Sequence, residues 1–358
     1  MSVQTYQCPA CSAPLLWNGD GLKCSGCGYE YKEEDMRQLT ESMAEDGVES
    51  EFAWERFAPT GDYSAEESAQ MEEHTCPNCG AVIVTAPSTA ASTCVYCGNN
   101  LLVGERFSGG LRPDSVIPFT VSREEAEAKL RVHFRRKRLL PTDFIRSCRV
   151  EEVTGLYVPY YLFDADTFAR ASYRTTRVRT HRHGNWEETH TDHFYVERAG
   201  DMRFERVPVD ACSRVANVLT EAIEPFDYSA ERPFNPGYFA GYQADCKDET
   251  VESCAPRASE RVTTSAQKAL RDTVIGYATV TEVSNRVAVH SGRVRYALMP
   301  VWLLTVRYNG ESYPFAVNGQ TGKVVGTLPV DKKKYLLSVL EYAGICEAVV
   351  AALIYLFR

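Results

Sequence analysis

Eight of the thirteen cysteines are set out as four Cys-x-x-Cys pairs, and two such pairs brought together make a tetrahedral four-thiolate site for a metal ion. Twelve residues separate Cys8/Cys11 from Cys24/Cys27 and fourteen separate Cys76/Cys79 from Cys94/Cys97, spacings that a hairpin can close. The pattern predicts two zinc ribbons: Cys8, Cys11, Cys24 and Cys27 hold one Zn2+, and Cys76, Cys79, Cys94 and Cys97 hold a second. Glycine follows three of the pairs (Gly28, Gly80 and Gly98), where a metal knuckle needs a positive φ. Disulfides would require an oxidising compartment, and the first twenty residues carry no secretory signal. A rubredoxin-like iron site shares the spacing and stays open as an alternative.

Four of the seven histidines, His181, His183, His190 and His193, fall close together. If Gly184-Asn185 is a turn, His181, His183, Glu188 and His190 share one face, as metal ligands would. Solvated hairpin residues are the plainer reading, and no metal is assigned there. Cys148, Cys212, Cys246, Cys254 and Cys346 are scattered and read as ordinary reduced thiols. No Gly-rich phosphate loop, nucleophile elbow or paired-carboxylate arrangement is present, so the chain reads as a non-enzyme with no small-molecule substrate.

Charge separates the remaining partners. Binding to nucleic acid demands Lys and Arg against phosphate, yet residues 1–31 hold Lys23 alone and residues 74–105 hold neither type. The ribbons therefore read as protein-docking modules. Nucleic-acid binding, by stacking on Tyr6, Trp17 or Tyr96, is the alternative function. Positive charge collects elsewhere, at Arg135, Arg136, Lys137 and Arg138 and at Arg170, Arg174, Arg177, Arg179 and Arg182, surfaces suited to anionic lipid, an acidic partner or the chain's own acidic stretch. That stretch, residues 32–73, holds fourteen acidic residues against three basic ones and reads as a partly disordered linker with a short aromatic docking segment from Phe52 through Trp54 to Phe57.

The elements that must position these groups follow from periodicity. Ser122-x-x-Glu125 is a capping box opening a helix with Ala126, Leu130 and Phe134 on one face, closed by Pro141. Strands are expected at 145–153 and 156–163, then a polar hairpin. A helix at 260–272, a strand at 274–289, a Pro-aromatic strand from Met299 and another hairpin repeat that order. Asn309-Gly310 and Asn318-Gly319 mark turns of an antiparallel meander. The expected fold is α+β: ribbon 1 at 1–31, the acidic linker at 32–73, ribbon 2 at 74–105, a duplicated α+β domain at 106–331, and a C-terminal membrane or partner helix at 332–358. Residues 335–357 are long enough to span a bilayer. Glu341 and Glu347 oppose insertion by roughly 2.5–3.5 kcal/mol each, which about eleven strong apolar residues at roughly 0.3–0.6 kcal/mol apiece nearly offset. Gly344, Ala348 and Ala352 form a small-residue face for a partner helix. A helix packed on the protein or lying at the interface is the alternative.

Several strings, Met299-Pro-Val-Trp-Leu-Leu, Val317-Asn-Gly-Gln-Thr-Gly and Gly237-Tyr-Phe-Ala-Gly-Tyr-Gln-Ala-Asp, together with the N-terminal cysteine pairs, carry a family likeness. The chain resembles bacterial transcription-factor-IIB-type zinc ribbon proteins, some of them labelled primosomal-helicase-like, and departs from them in carrying two complete ribbons. The resemblance implies a non-enzymatic adaptor at the cytoplasmic membrane. Its implied partners are phage-shock-type membrane-remodelling and stomatin/prohibitin (SPFH) proteins.

Overall fold

Two long strands organise the chain, and each changes its burial pattern along its length. The computed structural model describes residues 8, 13, 15–17, 21–32, 52–87, 93–97, 99, 103–107, 109–147, 149–184 and 186–356. Cys11, Gly98, Cys148, Asn185, Tyr6, residues 33–51 of the acidic linker and the last two residues lie outside them, as do the side chains of Trp17 and His183.

The described strands are β1 (Leu15–Trp17), β2 (Leu22–Cys24), β3 (Glu30–Tyr31), β4 (Glu72–Thr75), β5 (Val82–Thr85), β6 (Val103–Arg106), β7 (Ser115–Val116), β8 (Arg149–His183), β9 (Trp186–Asp210), β10 (Arg232–Pro233), β11 (Gln243–Asp245), β12 (Thr279–Tyr308), β13 (Glu311–Asn318) and β14 (Val324–Gly326). The α-helices are α1 (Ala65–Ser68), α2 (Arg123–Arg135), α3 (Thr142–Ser147), α4 (Asn217–Ala222), α5 (Val251–Asp272) and α6 (Lys332–Leu356). Mixed α+β architecture with a C-terminal apolar helix is thus as the sequence predicts. The described residues group into two units, one drawn from Met1–Phe57, Phe163–Val207 and Ala255–Val294, the other from Ala58–Leu162, Pro208–Cys254 and Arg295–Arg358.

In the first unit, β1, β2 and β3 form a separate three-stranded antiparallel sheet, with Leu15 opposite Cys24 and Leu22 opposite Tyr31. From Phe163 to Thr175 strand β8 mostly alternates buried and exposed residues, because one face is covered. Ala169, Ala171 and Tyr173 pack there on Ala266 and Leu270 of α5. The aromatic segment expected to dock does so within its own chain. Trp54 opens a 3₁₀ turn, is fully buried, meets Phe163 edge-on at 5.1 Å and donates its indole N–H to Ser259 Oγ at 3.0 Å.

In the second unit the sheet runs in the order β10-β7-β12-β8-β11-β5-β4-β6, with β13 and β14 added beside β12. Between Gly155 and Leu162 strand β8 is buried at every position, the mark of a strand covered on both faces. One face packs Leu156, Val158 and Tyr160 with Met299 and Val301; the other packs Trp302, Leu304 and Val306 with Ala126, Leu130 and Phe134 of α2. The Ser122 capping box forms as read: Glu125 N–H donates to Ser122 Oγ and Ser122 N–H to the Glu125 carboxylate. Asn309 and Gly310 both take positive φ (52° and 84°) between Tyr308 and Glu311, the two-residue turn that suits a twisted hairpin.

Other elements shift. The first helix ends at Arg135, ahead of Pro141, and α3 occupies part of the expected 145–153 strand, so β8 starts at Arg149 and runs on without a break. Helix α5 begins at Val251 and accommodates Pro256, nine residues before the expected start. Its packing partners outweigh one lost backbone hydrogen bond. Asn318 works through its side chain: Oδ1 accepts the N–H groups of Gln320 and Thr321 at 2.9 Å, and Nδ2 donates to Ile223 O at 3.0 Å. Residues 52–73, read as linker, take defined structure, with Glu67 held by Arg112 at 2.9 Å.

Candidate metal centres

Each knuckle is built by the same backbone bond. The first cysteine of a pair donates its N–H to the carbonyl five residues on: Cys8 to Ala13, Cys24 to Tyr29 and Cys76 to Ala81 at 2.8 Å, and Cys94 to Asn99 at 2.9 Å. Gly28 and Gly80, at φ 75° and 70°, return their own N–H groups to Cys24 and Cys76 carbonyls at 3.1 and 2.8 Å. The spacing thus folds the Cys24/Cys27, Cys76/Cys79 and Cys94/Cys97 pairs into turns that bring their sulfurs to a common site.

The sulfurs of Cys76, Cys79, Cys94 and Cys97 all lie within 4.8 Å of one another. Cys76 and Cys97 are 3.6 Å apart, as are Cys79 and Cys94. Four thiolates at about 2.3 Å from a tetrahedral ion sit about 3.8 Å apart, so the donor set fits such a metal. In the N-terminal ribbon Cys8, Cys24 and Cys27 form a second group with Cys8 and Cys27 at 3.6 Å. Cys11, the expected fourth ligand, lies outside the described residues. Gly26 and Cys27 N–H groups donate to Cys24 Sγ at 3.3 and 3.4 Å, the charge-assisted bonds that hold a thiolate. Burial pushes the Cys94 thiol up to about 12, whereas at Cys76 burial is overcome by the backbone N–H groups of Cys79 and Asn78, which bring it down to about 6. A bound divalent cation would deprotonate the whole set.

One feature escaped the sequence. Tyr96, between the last two ligands, donates its hydroxyl to Asp245 Oδ2, and Cys212 Sγ donates to the same oxygen at 2.5 Å. Asp245 is buried, its carboxyl raised to about 6 by desolvation against those two donors, and its Oδ1 has no hydrogen-bond partner among the described residues. Arg214 adds a bond to Gly80 O at 3.2 Å while pairing with Asp248. From the sequence Cys212 reads as an ordinary thiol and Tyr96 as a base stacker, because Asp245 lies too far along the chain for any local pattern to join them.

The histidine cluster does not assemble a metal site among the described residues. His181 and His190 rings are 6.1 Å apart and exposed, and His190 lies 3.1 Å from Glu188.

Helix α6 is long and apolar enough to cross a membrane: its mean hydropathy reaches 1.8 and none of that stretch is buried. Its 25 residues extend about 37 Å, against roughly 30 Å of hydrocarbon. Hydrogen bonds tie its base to the rest of the chain. Asp331 Oδ1 caps Lys333 N–H at 2.9 Å, Asp331 N–H donates to Leu139 O at 2.8 Å, and Lys334 Nζ donates to Leu140 O at 2.7 Å.

No family model and no solved structure matches the chain. The uncharacterized protein YdjG of Bacillus subtilis (strain 168) is 31% identical over 334 residues, covering 93% of this chain and 92% of its own. The chain belongs to the same family as that protein.

Proposed function

We propose that this member of the YdjG family is a non-enzymatic adaptor, anchored at the cytoplasmic face of the membrane by α6, whose two zinc ribbons dock protein partners. The observation that carries the reading is α6 itself: an apolar helix exposed along its length would be costly in water and is explained by lipid. Arg138, 3.7 Å from Glu341, lowers the penalty that this glutamate imposes at the entry.

Protein docking is favoured over nucleic acid because Lys23, the lone basic residue of the first ribbon, is already paired with Glu30 at 2.8 Å. The likeness to transcription-factor-IIB-type zinc ribbon proteins supports membrane-stress partners of the phage-shock and SPFH kind. Duplication of the body is supported by a recurring detail: Pro159 O accepts Ala211 N–H at 2.9 Å and Pro300 O accepts Gly319 N–H at 2.8 Å, in each case from the residue that follows the returning strand.

Fractionation tests the anchor. The full chain should pellet with membranes and resist alkaline carbonate, and deletion of residues 335–358 should release it. Solubility unchanged by the deletion overturns the reading. Elemental analysis should find two zinc ions per chain, and iron in their place would refute zinc.

A further inference from the structure

Helix α2 presents Lys129, His133 and Arg136 along one side, at helical spacing, into a surface groove of about 440 Å³ that Lys323 closes from the β13–β14 turn. Val132 and Val324 supply its apolar wall. Lys129 lies directly over Gly322, where a Cβ would come 2.3 Å from Lys129 Cε, so the glycine at φ 74° is what lets the lysine bed down. Lys323 also donates to Glu224 O. No ion pair joins Lys129 or Arg136 to a carboxylate among the described residues, while nearby Glu127 is taken up by Arg123 and Arg131. Burial and the charges of Lys137 and Arg136 hold His133 below its ordinary range, in keeping with a positive field there.

The chain leaves the groove at Arg136, its last lining residue at the end of this helix, and reaches the base of α6 within a few residues. The residues that follow α2, Arg138 to Leu140, are the ones that hold Asp331, Lys334 and Glu341. A cationic groove at the foot of a spanning helix sits at headgroup depth. The negative end of the α2 dipole, about half a charge, opposes an anion there, but Arg135, Arg136, Lys137 and Arg138 outweigh it. We propose that this groove binds the phosphate of an anionic phospholipid headgroup, with Val132 and Val324 against the glycerol; the inference rests on the membrane reading of α6.

The test uses the full chain in neutral detergent, titrated calorimetrically with dihexanoyl-phosphatidylglycerol, dihexanoyl-phosphatidylcholine and inorganic phosphate. Phosphatidylglycerol should bind at least about tenfold tighter than the other two, and Lys129→Gln with Arg136→Gln should weaken it by about fivefold per charge removed. Arg179→Gln with Arg182→Gln, on a different basic surface, should leave it unchanged. Equal affinity for the two lipids, equal loss in both variants, or phosphate binding as tightly as phosphatidylglycerol would each overturn the proposal. Because micelles report the groove whether or not α6 spans a bilayer, failure here is distinct from failure of the fractionation test.

Discussion

The two ribbons share one knuckle and differ in what stands behind it. The N-terminal one has a sheet of its own, with strands of three, three and two residues, and a core of Cys8, Leu15, Leu22 and Cys24. The second has no such independence. Its β5 pairs antiparallel with β11, Gln243 opposite Thr85 and Asp245 opposite Ile83, and so continues the second unit's sheet. Tyr96 and Arg214 fasten the cysteine loops to the same sheet. Cysteine sets of the same pattern can therefore stand alone on a small sheet or be built into a large one, and cysteine spacing does not say which.

Metal removal should separate the two most widely, since a structural zinc contributes on the order of 10–16 kcal/mol to small zinc-binding peptides. After chelation, hydrogen exchange should show β2 and β3 losing all protection while β5 keeps its own through β11. Equal loss in both would break the comparison.

A pH series sharpens it next. The Asp245 carboxyl titrates near 6 in the fold against 3.8 in the open chain, so its contribution is complete below 3.8 and is lost as pH rises through 6. Relative to Asp245→Asn, the parent chain should lose on the order of 2–3 kcal/mol of second-unit stability between pH 4 and pH 7 in denaturant melts. A flat difference across that window would remove Asp245 from the account.

Tyr96→Phe deletes one of the two donors to Asp245 and should cost about 1–3 kcal/mol in the same melts, since it leaves a buried acceptor under-satisfied. Tyr31→Phe is the matching change in the first ribbon, where the hydroxyl lies 3.3 Å from Cys8 Sγ at a partly exposed site. Its effect should stay within about 0.5 kcal/mol, and a cost equal to that of Tyr96→Phe would mean the ribbons are fastened alike.

Much of this was readable from short-range chemistry. The cysteine spacing, the Ser122–Glu125 cap, the Asn309-Gly310 turn and the apolar run of α6 each depend on residues a few positions apart, and each appears where the sequence places it. The bounds of β8 were not readable, because Ile145 and Val150 suit a strand and the choice of α3 before it rests on what packs around Phe144. The histidine stretch is exposed at His181 and His190, in line with the plainer reading of solvated hairpin residues.

By itself the sequence determined the knuckles, the caps, the tight turn and a helix that water would not favour, because these are settled by backbone geometry and side-chain type within about five residues. Tertiary structure alone decided that Tyr96 would meet Asp245 and Cys212, 149 and 116 residues away, and that Trp54 would bury itself against Ser259, 205 residues on. Such meetings depend on which strands become neighbours, and that is fixed by the burial of the whole sheet, a sum over distant residues that no local pattern contains.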